Sequence, residues 1–161
     1  MATPEPLRAT EPPWVHLVVL GRGETPESAL AMPPGFAVRS IDGRRCRSKP
    51  GLLSEFARAL EFPADSGRNW DAFEELLADL EWLPAKGYLL IVTEADQLLA
   101  EHPDDYGTFI EVVNAVAQEW ATAPVPVPFH LCLVVTRERA GARADWRAPH
   151  LPTGHPPGGR S

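Results

Sequence analysis

The sequence predicts an α/β domain, a small and mostly parallel sheet of three to four strands packed with about four helices. Three observations carry this expectation. Tyr88 to Thr93, YLLIVT, is a nearly continuous apolar run, as expected of a strand buried on both sides. Phe129 to Thr136, FHLCLVVT, reads as a second strand. Between them, Tyr106 to Thr122 places Phe109, Ile110, Val112, Val113 and Val116 at helical spacing. Strands separated by helices pair in parallel through right-handed crossovers.

Residues 1–13 hold Pro4, Pro6, Pro12 and Pro13 and are expected to be a disordered lead-in. Residues 14–35 form an additional N-terminal strand and loop. The strand is Trp14 to Leu20, WVHLVVL, rich in β-branched and aromatic residues. Gly21-Arg22-Gly23 follows it and invites comparison with a nucleotide-binding loop. A third glycine would fall at Pro26, and no clear helix starts there, so a glycine turn is the reading.

The principal domain is expected over 36–137. It opens with the strand Phe36 to Ile41, closed by an Asp42-Gly43 turn. Arg39, Arg44, Arg45, Arg47 and Lys49 then form a basic cluster. Such a cluster can bind phosphate or an acidic partner. No aromatic residue is interleaved to stack on bases, so a solvated turn is expected instead. Pro50 suits a first helical position, and Leu52, Leu53, Phe56 and Leu60 give a helix from Pro50 to Glu61 its core face. Glu94 to Glu101 reads as a short helix around Leu98 and Leu99, stopped by Pro103. The run PVPVP, Pro124 to Pro128, cannot continue a helix and leads into the last strand. Residues 138–161 are expected to be a flexible Pro/Gly-rich tail.

The most informative stretch is Phe62 to Trp82, FPADSGRNWDAFEELLADLEW. Pro63, Ser66 and Gly67 are turn residues, and Asn69 can cap a helix that begins at Trp70. Trp70, Phe73, Leu76, Leu77 and Leu80 then recur on one face. The other face carries Asp71, Glu74, Glu75 and Asp79 without a lysine or arginine. Asp71 in the first turn favours the helix dipole. Glu75 and Asp79 lie towards the negative end, and Asp71/Glu75 and Glu75/Asp79 are like charges at i,i+4. Each pair costs roughly 0.2–0.5 kcal/mol, so the stripe points to an external cation or is merely a solvated face.

The formal net charge of the 161 residues is −7. Residues 137–161 hold five arginines against two acids, so the acidity lies in the body of the chain. An acidic body argues against nucleic acid as a direct ligand and for a basic protein partner. Cys46 lies in a polar segment and Cys132 in an apolar one, which fits a reduced, cytoplasmic protein. The N-terminus shows acids and prolines where a secretory signal needs an apolar core, and no run approaches membrane-spanning length.

Catalytic chemistry is missing from the pattern. His16, His102, His130, His150 and His155 have no metal-ligand spacing, and His16 and His130 sit on apolar strands as core or rim residues. No phosphate loop, G-x-S-x-G, C-x-x-C or H-E-x-x-H occurs. Asp71 with Glu75 could suggest acid–base work on a glycoside, but a surface stripe without a pocket argues against it. Neither an enzyme nor a cofactor is expected.

Pro63, Gly67, Asn69, Asp71, Ala72 and Leu77 together resemble the barstar family of ribonuclease inhibitors. Ile41-Asp42-Gly43 with Arg47-Ser48 resembles the start of that fold, and Phe109 to Val116 with the last strand its end. The resemblance implies that the helix after Asn69 plugs the active site of a basic, extracellular-type ribonuclease, its acids standing in for RNA phosphates. It implies a protein that is a monomer when free. On this resemblance Asp71 corresponds to a contact aspartate and Glu75 to the dominant one, while Gly67 and Asn69 match the residues that open the helix. Asp65 and Ser66 stand where the family has two contact tyrosines, Glu74 where it has a tryptophan, and Asp79 where it has a glycine. A glutamate of the last helix corresponds to Ala115. The partner-binding set implied is Asp65, Gly67, Asn69, Asp71, Glu74, Glu75 and Asp79. The alternative is a module of the same fold that binds another basic protein and inhibits nothing.

Overall fold

The computed structural model describes residues 7–30 and 32–141. Its four strands are β1 (Val15–Leu20), β2 (Phe36–Asp42), β3 (Gly87–Thr93) and β4 (Phe129–Thr136). They form one sheet in the order β1-β4-β3-β2. Every pair is parallel, from Val15↔Leu131 on one edge to Phe36↔Gly87 on the other. The helices are α1 (Pro26–Ala29), α2 (Lys49–Leu60), α3 (Trp70–Asp79) and α4 (Asp104–Ala121). The predicted α/β class is the one observed.

The sheet has two apolar faces because β3 and β4 are apolar at nearly every position. One face carries Leu17, Ile41, Leu90, Val92, Leu131 and Leu133, and α2, α3 and α4 cover it. Phe56 of α2 meets Phe73 of α3 at 5.1 Å and Phe109 of α4 at 5.7 Å, both edge-on. The opposite face presents Val18, Leu20, Leu89, Ile91, Cys132 and Val134. Residues ahead of β2 cover it: Leu7, Ala29, Leu30 and Met32. Residues 7–13 belong to the lead-in that the sequence suggested was disordered, yet Leu7 is fully buried there. A parallel sheet needs cover on both faces, and here the N-terminal segment supplies the second. Residues 1–6 and, of the expected tail, 142–161 lie outside the described residues.

Local chemistry explains where the elements begin. Ser48 Oγ accepts from the Gly51 amide and starts α2 one residue ahead of Pro50. Asn69 Oδ1 accepts from the Ala72 amide at 2.8 Å, so α3 starts at Trp70 as expected. Gly43 is required at its turn, since a Cβ there would lie 2.4 Å from the Thr93 and Glu94 carbonyls.

Two elements differ from expectation. A single helical turn, α1, does begin at Pro26, held by a reciprocal cap between Thr25 and Ser28. One turn is too short to leave a periodic signal. The helix expected over Glu94–Glu101 shrinks to a 3₁₀ turn at Ala95–Gln97. There the Leu99 amide donates to the Cys46 carbonyl at 2.7 Å and the Glu101 amide to that of Arg47 at 2.9 Å. The segment bonds to the loop before α2 instead of to itself, while Leu98 and Leu99 remain buried as the pattern required.

Candidate partner-binding site

Helix α3 buries Phe73 and Leu77, with Leu80 directly after it, and turns Asp71, Glu75 and Asp79 to solvent. Leu76, expected in the core, is only half-buried, so the apolar stripe is narrower than its spacing suggested. Helix α4 is tied alongside, because Trp120 Nε1 donates to the Leu77 carbonyl at 3.0 Å. That bond sets Glu119 beside the acidic stripe. The result is a shallow concavity of about 800 Å³ lined by Asp71, Glu74, Glu75, Ala78, Asp79 and Glu119. None of these five carboxylates takes an ion pair or side-chain hydrogen bond among the described residues.

The other expected contact residues sit apart. Asp65 and Gly67 are exposed in the loop ahead of α3 and do not line the concavity. A Cβ on Gly67 would come within 3.0 Å of Ala72 Cβ, so the small residue lets the loop close onto the helix. Asn69 is exposed, but its side-chain oxygen is occupied by the cap. The N-terminal end of α3 is flanked by cations. Lys49 Nζ lies 5.3 Å over the Trp70 ring, and Arg68 Nη1 donates to Ser54 Oγ at 2.7 Å.

Glu119 is the residue that sequence reasoning missed. Ala115 was matched to the family's helical glutamate and is exposed, but it does not line the concavity. Glu119 lies one turn further on, an i,i+4 relation that keeps it on the same side of the helix.

The arginines of the basic cluster are paired with carboxylates of the same chain. Arg44 lies 3.1 Å from Asp42 and 3.3 Å from Glu94. Arg47 lies 3.3 Å from Glu101, and Arg39 3.4 Å from Glu61. The side-chain bond from Arg44 holds the Asp42 carboxyl below its usual range. A phosphate at this place would have to displace carboxylates, in keeping with a solvated turn. Among the described residues no group of histidine, cysteine, aspartate and glutamate could hold a metal ion. No helix there is long and apolar enough to cross a membrane.

Fold and charge together define a class: a small, parallel α/β domain that carries an unneutralised acidic helix on its surface. The family model Barstar, described as barstar (barnase inhibitor), matches residues 36–133, more than half of the chain, and the chain belongs to that family. No curated protein matches it. The match opens at the first residue of β2 and closes within β4, so β1 and α1 fall outside it. Members of this family are inhibitors rather than enzymes and bind a ribonuclease, and membership supports a barnase-inhibitor-like role.

Proposed function

We propose that this chain is an immunity-type inhibitor that occludes the active site of a basic ribonuclease with α3, in the cytoplasm and as a monomer when free. The observation that carries the reading is the set of five carboxylates in one concavity, from two helices, without a cation of their own. A ribonuclease that binds RNA phosphates presents lysine and arginine in its active site. Carboxylates preorganised on a packed helix can occupy that site, and their common sign speeds encounter. Asp71 and Glu75 serve as the central contacts, while Glu74, Asp79 and Glu119 surround them. Asp65, Gly67 and Asn69 contribute the loop at the edge of the contact. Asp65 and Ser66 replace the family's two contact tyrosines, so specificity rests on charge more than on aromatic packing, and the partner differs from barnase itself.

The test captures the partner from host lysate on the immobilised protein and assays its RNA cleavage with and without the inhibitor. Glu75→Ala should weaken capture through the dissociation rate. Leaving the partner's cation buried and unpaired costs about 2–5 kcal/mol, a range the barnase–barstar complex itself helped to define. A captured protein without nuclease activity would favour the plain interaction module. Unchanged capture by Glu75→Ala would move the interface off α3.

A further inference from the structure

The acidic helix begins beside a pocket of the opposite sign. That pocket has a volume of about 270 Å³ and is lined by Lys49, Pro50, Leu53 and Arg68. Leu53, buried, and Pro50, exposed, supply its apolar wall. Lys49 opens α2 and Arg68 lies in the loop that leads into α3, so the pocket joins the two elements. Each cation is held in place without losing its charge. Lys49 Nζ sits 5.3 Å from the centre of the Trp70 ring, which is braced edge-on against Phe73 at 5.9 Å. Arg68 Nη1 donates to Ser54 Oγ at 2.7 Å, which engages one of five guanidinium donors with a neutral acceptor. Neither cation has a carboxylate within ion-pair distance among the described residues. Lys49 thereby differs from Arg39, Arg44, Arg45 and Arg47, each of which has one.

The place of this pocket limits what can fill it. Trp70, under Lys49, is the first residue of α3, and Asp71, the first acid of the stripe, comes next. Any surface seated on the stripe is thus bordered by the cation pair. A uniformly basic surface would be repelled there, because like charges placed together oppose association. An RNA strand fits the pair but not its surroundings, since its next phosphates would run on to Asp71 and Glu75. A basic protein with one acidic residue at the edge of its site matches both signs. The pocket is also smaller than the roughly 300–1,000 Å³ of small-molecule sites, which suits a single side chain.

We propose that Lys49 and Arg68 receive one aspartate or glutamate side chain of the partner whose basic site meets α3. If α3 plugs a ribonuclease as proposed above, that enzyme carries a carboxylate bordering its cations, so the role of the pocket rests on that reading. Opposite charges in a fixed order along one surface set the register of the contact and reject proteins that are merely basic.

The test uses the full chain and the ribonuclease it captures, with association and dissociation rates measured for the unaltered protein, Glu75→Ala, Arg68→Glu and Lys49→Glu. Two kinds of partner give opposite signs. Against a uniformly basic one, Arg68→Glu extends the acidic field and should speed association. Against a carboxylate it sets like charges together and should weaken binding at least about tenfold, with Lys49→Glu acting in the same direction. Arg68→Lys keeps the charge and should retain most of the affinity, and Ser54→Ala should bind like the unaltered protein. Faster or unchanged binding by Arg68→Glu overturns the carboxylate contact. So does an equal loss in Arg68→Lys, which would mark a structural role. Either result leaves the inhibitor reading standing as long as Glu75→Ala weakens capture. A loss in Arg68→Glu with none in Glu75→Ala would support the pocket and overturn the role of α3. Capture of no ribonuclease overturns both. A short single-stranded RNA that shifts the Arg68 and Trp70 amide resonances of the free protein would assign the pocket to phosphate and overturn the proposal as well.

Discussion

The charges between Arg39 and Lys49 and those between Asp71 and Asp79 both stand out along the chain as clusters of mostly one sign. In the folded protein they part company. The four arginines find carboxylates from three different segments, Asp42 beside them, Glu61 after α2 and Glu94 and Glu101 after β3, while Lys49 lies over the Trp70 ring. The acidic residues of α3 find none, and packing against α4 adds Glu119 to them. A cluster of one sign is thus informative only after the fold has brought up its neighbours. The arginines of the first are paired within the chain, and the carboxylates of the second have no such partner among the described residues.

The largest expected effect tests what holds the acidic face in place. Leu77 is fully buried beneath it, and Leu77→Ala should cost about 2–5 kcal/mol in denaturant unfolding. A loss below about 1 kcal/mol would mean that α3 is not anchored by its apolar side, and the comparison would lose its footing.

Next comes the best-bonded carboxylate of the paired region. Glu55 is buried and accepts from Arg58 Nη2 at 2.7 Å and from the Asp42 amide at 2.9 Å. Glu55→Ala should cost about 1.5–3 kcal/mol. The bond from Arg58, opposed by burial and helped by the Asp42 amide, holds its pKa below the ordinary 4.5. Its contribution is therefore complete above about 4.5 and fades as pH falls through the lower folded value. Equilibrium unfolding followed against pH should show that acid-side loss in the unaltered protein and less of it in Glu55→Ala.

Trp120→Phe removes the donor to the Leu77 carbonyl and should cost about 0.5–1.5 kcal/mol in thermal unfolding. It sharpens the comparison further if it also weakens partner capture, since Glu119 would lose its alignment with α3.

The smallest effects differ in sign. Glu101→Ala breaks the exposed pair with Arg47 and should destabilise by roughly 0.2–1 kcal/mol. Glu75→Gln relieves two like-charge pairs and should stabilise by about 0.2–0.5 kcal/mol for each. Both changes should shrink in high salt. Equal signs for the two in melting curves would break the distinction between a satisfied and an unsatisfied cluster.

Much of this was legible along the chain because local rules governed it. The Asn69 cap, the apolar runs of β3 and β4 and the helical spacing of Phe73, Leu77 and Phe109 each announce one element by themselves. The residues that open α3 also carried the family resemblance, and the acidic stripe is a matter of counting along one helix face. These signals lie within a few residues of one another, where cap bonds and side-chain period act.

Other features depended on distant partners. Glu119 lines the concavity only because α4 lies along α3, and Arg44 and Arg47 meet Glu94 and Glu101 only because that segment returns to them. Leu98 and Leu99 have helical spacing, but their segment gives backbone bonds to Cys46 and Arg47. Leu7 stands among prolines with no periodic neighbour, and His16 and His130, whose Nε2 and Nδ1 lie 2.9 Å apart, are separated by most of the chain. Propensity, capping and periodicity, which are local, sufficed for the four strands, the three long helices, the α/β class and the acidic helix. Only the tertiary structure decided which charges were paired, which segment covered the second face of the sheet and which histidines met. Those outcomes depend on chain topology, which brings together residues whose separation in sequence carries no local signal.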